Sequence, residues 1–453
     1  MSRTLKLGGT IAVLVLTLAC QGPGASPTPK PTGTSTPAPT GVATATPSVA
    51  PTSSPTTEPT SSGPTPSPSP TPPPAAVEGT LTIWVDETRA PIMVELGQQF
   101  TAVTNVPVQV YQVGFGDIRD NLVLRGPRGE GPDLLIGGHD WLGQLATDGL
   151  VEPMDLGDKA DMVDPVALAA FTYDAGNGAQ LYGLPYAMEA IGLVYNTDLV
   201  PEPPATWEDL IALATQLQTD NGLEQAFILQ EKDPYHSYPV LTANGGYIFG
   251  KNADGTYNPD DVGLDSEGGL AYARMLDQMI KDGVLRAGVN YDVMIQLMST
   301  GEAAMAITGP WALPAIRDGG VNIAVTTIPS GAQDARPFVG VQGFMVNAFS
   351  PNKLLAQTFV TEYIATDETM QAMFDADPRP STWGPVADGI EDPVVQGFIA
   401  NAANGDPMPA IPQMSAVWTD WTDALDLIFT QGQDAEQAVR DAATEIRAKV
   451  ATE

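Results

Sequence analysis

This chain predicts an α/β protein of two lobes, and three observations carry the prediction. From residue 78 onward, strand-like apolar runs alternate with helical stretches, the pattern of mostly parallel sheets flanked by helices. Residues 78–453 number 376, beyond the ~250–300 residues at which a single core stops growing. Residues 21–77 are almost wholly Pro, Thr, Ser, Ala and Gly, so that stretch has nothing to contribute to a core.

The N-terminus reads as a targeting segment. Arg3 and Lys6 precede an apolar run, residues 11–20, with small Ala19 before the break. The run is shorter than the ~20 residues that span a bilayer as a helix. Cys20, the only cysteine, closes it. A cysteine there resembles a bacterial lipobox, whose thiol is acylated, although Thr17 and Leu18 replace the usual Leu and Ala/Ser. The alternative is an ordinary cleaved signal with an incidental cysteine. Residues 1–20 are therefore expected to be a lipoprotein signal peptide with lipid attached at Cys20. Residues 21–77, holding 17 of the 42 prolines, are expected to form a disordered tether. In polyproline II, at ~3.1 Å per residue, it could reach up to ~180 Å.

Each folded element has a local cause. Residues 80–85 (TLTIWV), 107–113 (PVQVYQV) and 132–138 (PDLLIGG) read as strands, with a helix over 90–103 after the first. The run 191–196 (IGLVYN) is a further strand. Thr206-Trp-Glu-Asp209 is a capping box opening a helix that Asn221-Gly222 ends. Residues 265–283 are amphipathic and stop at Gly283, so the methionines of 270–280 are core by spacing. Strands follow at 303–308 and 321–328. A helix over 350–366 has Ser350 as N-cap and Pro351 at its first position.

Composition excludes several functions. From residue 78 the chain carries 17 basic and 53 acidic residues, a net charge of −36. Nucleic acid and anionic membrane surfaces are excluded as partners, and anionic ligands are disfavoured because no local basic pocket is evident. Two histidines and one cysteine leave little for a zinc site or a Ser–His–Asp centre, so no metal or cofactor is expected.

The strand ends carry the chemistry. In open α/β sheets, ligands sit outside the carboxyl ends of the strands. Those ends bear Asp86-Glu87, His139-Asp140 and Gly309-Pro310-Trp311. Carboxylates accept short bonds from sugar hydroxyls, and indole or phenol rings cover the C–H faces of a pyranose. A site rich in acids and aromatics and poor in cations suits an uncharged carbohydrate.

At these residues the chain resembles the periplasmic maltose/maltodextrin-binding proteins, the family-1 solute-binding components of ABC importers. The similar segments include LTIWVDE (81–87), GPDLLIGGHDWLG (131–143), residues 184–210 and 243–265, GEAAMAITGPWALPAI (301–316), residues 337–353 and MPAIPQMSAVW (408–418). The resemblance implies a hinged, type II periplasmic-binding-protein fold with discontinuous lobes. The N-terminal lobe would be 78–187 plus 338–393, and the C-terminal lobe 188–337 plus 394–453. It implies hinge closure on maltose or maltodextrin and delivery to ABC permease subunits, without catalysis, by an extracytoplasmic, lipid-anchored monomer.

By motif, Asp140 and Glu189 match carboxylates that bind glucose hydroxyls, Trp311 and Trp418 match stacking rings, and Tyr235 matches a stacking tyrosine. Asp233, or Glu231, falls where the family has a Glu. Asp86 and Glu87 lie where it uses Asn and Asp, and Arg89 stands in for a Lys. Two departures bear on specificity. Trp141 replaces an Arg, and Gly137 replaces a Trp, so one cation is lost and a ring sits four positions along the loop. Taken alone, Trp421 reads as core, and His139 and His236 as structural or rim groups. Trehalose, cyclodextrin or another neutral oligosaccharide is an alternative ligand. The competing classes are a glycoside hydrolase using Asp140 and Glu189 as its acid pair, and a sensor or adhesin.

Overall fold

The computed structural model describes residues 73–253 and 255–452. The signal peptide, Cys20 and residues 21–72 of the tether lie outside the described residues. In chain order the strands are β1 (Leu81–Val85), β2 (Val108–Gln112), β3 (Leu134–Gly138), β4 (Thr172–Tyr173), β5 (Gln180–Leu181), β6 (Leu184–Glu189) and β7 (Gly192–Asn196). They continue with β8 (Phe227–Ile228), β9 (Phe249–Lys251), β10 (Tyr257–Val262), β11 (Met305–Thr308), β12 (Ile323–Thr326), β13 (Phe338–Val346) and β14 (Asp406–Pro407). Two sheets organise two lobes. The first runs β14-β13-β3-β1-β2 with β6 also on β13, and the second runs β12-β7-β11-β8.

Most strands of each sheet run in one direction, with the entry strands reversed. β1 is parallel to both β2 and β3, but β13 is antiparallel to β3 and β6, and β7 is antiparallel to both its neighbours. The cause is the route of the chain. β1, β3, β6 and β11 run toward the inter-lobe cleft, and their ends carry Asp86, His139, Glu189 and Gly309. β7 and β13 are the strands by which the chain enters a lobe, so they start at the cleft and run away from it. Only two residues, Ala190 and Ile191, separate β6 of one sheet from β7 of the other.

Burial explains why the strands read as continuous apolar runs. In the second sheet Leu193, Phe227, Met305 and Ile307 pack into one core, while their neighbours Val194, Ile228 and Ala306 pack into another on the opposite face. Strand side chains alternate faces, and a sheet covered on both must be apolar at every position. Helices Met414–Phe429 and Ala435–Val450 cover the first of these faces, and Pro393–Ala403 the second. Trp421 is fully buried, donating its indole N–H to the Tyr272 hydroxyl at 3.3 Å. The first lobe's core gathers residues from 81–187 and 341–386. Ile390 packs with Val394 and Phe398.

Three local expectations change. Helix Trp207–Asp220 is capped by Thr206, which accepts from the Asp209 amide at 3.1 Å, but the shorter Asp209 side chain bonds the Thr206 hydroxyl instead of closing the box. Ser350 does not cap a helix. Its hydroxyl donates to Asp133 Oδ1 at 2.5 Å, and the helix begins at Lys353 before widening to a π-helix over Phe359–Ile364. Residues 73–77, assigned to the tether, are tied to the first lobe. Arg125 donates to the Pro73 carbonyl at 2.8 Å, the Trp84 indole to Pro74 at 3.1 Å, and the Ala76 amide to Gly131 at 2.8 Å. Main-chain carbonyls form the tie, which composition cannot reveal. Among the described residues no helix is long and apolar enough to cross a membrane.

Candidate functional site

A cavity of about 440 Å³ lies where the cleft-facing strand ends meet, within the ~300–1,000 Å³ usual for small-molecule sites. Its wall includes all ten candidate binding residues. Asp86, Glu87, Arg89, Asp140, Trp141 and Glu189 come from the first lobe, and Asp233, Tyr235, Trp311 and Trp418 from the second.

On the first lobe the acids are held in a lattice of arginines. Asp86, just past β1, accepts from the Thr88 and Arg89 amides at 3.1 Å with Oδ1, while Oδ2 pairs with Arg89 Nη1. Burial works against ionising Asp86, but the Arg89 and Arg379 guanidiniums hold its carboxyl below the usual range. Arg89 also donates to the Tyr186 hydroxyl and, at 3.2 Å, to Glu189 Oε1. The same Glu189 oxygen takes Arg379 Nη1, and Oε2 accepts from Gln342 at 3.0 Å. Arg379 completes the lattice through Asp377 Oδ2 at 2.5 Å and the Thr88 hydroxyl at 2.6 Å. Glu87 is exposed at the rim.

Asp140 follows β3 in a 3₁₀ turn and faces the second lobe. Burial pushes its carboxyl up to about 6, against the pull of Arg119 and a bond from the Trp418 indole. Trp141 folds back toward the strand it leaves. A Cβ on Gly137 would lie 2.1 Å from Trp141 Cζ3, so the ring covers the space a side chain at 137 would need. It packs on Phe115 at 4.6 Å and is 4 % exposed, leaving little of the ring for a guest.

The second lobe supplies rings. Trp311 follows β11 and sits 6.1 Å from Tyr235, and the Arg379 guanidinium lies 5.8 Å from its centroid. Trp418 stands edge-on to Phe338 at 6.2 Å. Burial holds the Tyr235 hydroxyl well above its ordinary range, so it stays protonated. Asp233 caps helix Pro234–Ala243, accepting the His236 amide at 3.0 Å and His236 Nδ1 at 2.7 Å. Burial would raise Asp233, yet His236 draws it below the usual range. Glu231 instead accepts from the Gly288 amide at 2.6 Å, leaving Asp233 as the carboxylate on the cavity wall.

One expectation fails and several residues were missed. The site is not poor in cations, because Arg89, Arg119 and Arg379 all line it. Five carboxylates line it too, and they offset those charges locally. Arg379, Gln342, Gln230, His236 and Tyr291 escaped sequence reasoning as site residues. Arg379 had one weak signal, a lone cation between two prolines in an acidic chain.

Comparison with known proteins fits this geometry. The profile of a family described as bacterial extracellular solute-binding protein matches residues 95–396. A galactooligosaccharide-binding protein of Bacillus subtilis is 29% identical over 381 residues, covering 82% of this chain and 89% of its own. A maltooligosaccharide ABC transporter solute-binding lipoprotein of Streptococcus pneumoniae is 28% identical, over 81% of this chain and 88% of its own. A maltotriose-binding protein of Pyrococcus abyssi is 28% identical, over 79% of each.

Proposed function

Because this chain belongs to the bacterial extracellular solute-binding protein family, we propose that it captures a neutral oligosaccharide for an ABC importer. Closure of the lobes about the segments 190–191, 337–341 and 404–408 would enclose the sugar, with the expected lobe boundaries as the moving bodies. The observation that carries the reading is the shared cavity, in which second-lobe rings face first-lobe carboxylates. Rings bury the apolar faces of a pyranose, and charge-assisted bonds hold its hydroxyls.

Maltose or maltodextrin is the reading that follows from the matched positions of Asp140, Glu189, Tyr235, Trp311 and Trp418. A galactooligosaccharide is the second reading. It draws on the relative of that name and on the Gly137–Trp141 exchange, which reshapes the wall beside Asp140. Catalysis is disfavoured, since both Glu189 oxygens are already taken by donors of the protein, one by two guanidiniums and the other by the Gln342 amide. Calorimetry with maltotriose, β-1,4-galactobiose, trehalose and α-cyclodextrin tests the reading. Binding tighter than millimolar to at least one supports it, and none sinks it.

Attachment at Cys20 to the cell membrane, monomeric state and docking on permease subunits belong to the same proposal. Cys20→Ser should move the protein from the membrane fraction to the medium or periplasm. Persistence with lipid would refute acylation.

A further inference from the structure

Three side chains on the cavity wall end in buried polar atoms with no partner among the described residues: Gln230 Nε2, His236 Nε2 and Gln342 Oε1. The residues are 4, 5 and 6 % exposed. Leaving such an atom unpaired is costly, so three at one cavity need a reason.

Bonds at the other end set the roles of His236 and Gln342. His236 Nδ1 lies 2.7 Å from Asp233 Oδ2, a carboxylate that accepts, so Nδ1 carries a proton and the neutral form of the ring presents a lone pair at Nε2. Gln342 Nε2 donates to Glu189, so Oε1 is the acceptor. Gln230 presents a donor. The imidazole stands perpendicular to the Trp311 indole, centroids 5.7 Å apart, which places it beside a stacking ring. A group that only accepts would satisfy Gln230 and leave the other two unpaired. Hydroxyls donate and accept, and serve all three.

We infer that Gln230, His236 and Gln342 are ligand-contacting residues that read saccharide hydroxyls around Trp311. Asp233 is then a positioning residue, acting through the His236 tautomer. This rests on the saccharide reading above and deepens it. It also reassigns Asp233, expected to touch the sugar directly.

Calorimetry on the full mature chain with the same four sugars tests it, with melting temperature recorded for every variant. Gln230→Leu and His236→Phe should each weaken the sugar that binds best by about tenfold or more, as expected for losing a buried hydrogen bond. Asp233→Asn keeps a capping side chain but donates to Nδ1, forcing the proton onto Nε2. It should weaken binding similarly, with little change in melting temperature. Nitrogen-15 NMR supplies a readout that a structural role would not move. The His236 Nε2 resonance should shift on saturation with sugar, while His139, bonded at both nitrogens, should not. A parent that binds a sugar, with these variants within twofold of it or an unmoved Nε2 signal, overturns this assignment alone. A parent that binds none of the four overturns the saccharide reading and this inference with it.

Discussion

Arg379 is buried to 4 % exposure and touches Glu189, Asp377 and Thr88, residues 190, 2 and 291 positions away. Glu189 and Thr88 are far from it in the sequence, which is why the residue was missed while Asp140 and Glu189, set in contiguous strand-end segments, were legible. Removing one member of a buried ion network leaves the others uncompensated, at ~3–5 kcal/mol. Arg379→Ala should therefore lose unfolding free energy of that order in urea denaturation, and Arg379→Lys less, because a lysine keeps the charge but not the fork. Equal midpoints for parent and Arg379→Ala would refute the lattice. Asp140 allows a pH test. Its carboxyl titrates near 6, and the ionised form is the one that accepts hydroxyls. Sugar affinity should rise by up to about tenfold between pH 5 and 7 as the proton leaves. In Asp140→Asn, titration calorimetry should find that component gone.

Two strand ends share a device. After β3, Trp141 folds back over Gly137, and after β11, Trp311 folds back so that a Cβ on Gly309 would lie 2.2 Å from its ring. Each glycine makes room for an indole that the following 3₁₀ turn aims back at the strand. Sequence reading saw the loss of a tryptophan at 137 and a gain at 141. It could not see that the two positions share one volume. Gly137→Ala should cost about 1–3 kcal/mol through overpacking. The double variant Gly137→Ala/Trp141→Ala should recover part of that, as coupling between touching residues requires. Additive losses in thermal unfolding would show that the positions are independent. Helices were easier to read than sheet direction, since signals such as the Thr206 cap and the Gly283 stop are local, whereas strand polarity depends on which lobe the chain has just left.

At the scale of the whole molecule, His139 joins the first lobe to the crossing segments. Its Nδ1 accepts from the Val341 amide at 3.0 Å, and Nε2 donates to the Met408 carbonyl at 3.1 Å. Burial lowers its titration to about 4. A base whose native value is depressed stabilises the fold fully above its ordinary 6.5 and loses that contribution as pH falls toward 4. Asp140, raised in the native state, works oppositely, favouring the fold as pH falls from 6 toward 3.8. The two slopes oppose each other over pH 4–6. His139→Gln should remove the first and expose the second, so denaturation midpoints in that variant should rise on acidification from pH 6 to 4. A midpoint that changed with pH as it does in the parent would show that His139 does not carry the slope. The two-lobed plan was readable from length and element order. The passage of two crossing segments past one histidine was not, because 139, 341 and 408 meet only in the folded chain.

Every bond in the arginine lattice of the first lobe is one the protein makes to itself. That half of the cleft is therefore a preset jaw, its oxygens aimed before any guest arrives, so the ordering entropy is met during folding and not during capture. Discrimination among stereoisomers then falls to a rigid template, and an epimer that misplaces a single hydroxyl should be refused instead of accommodated.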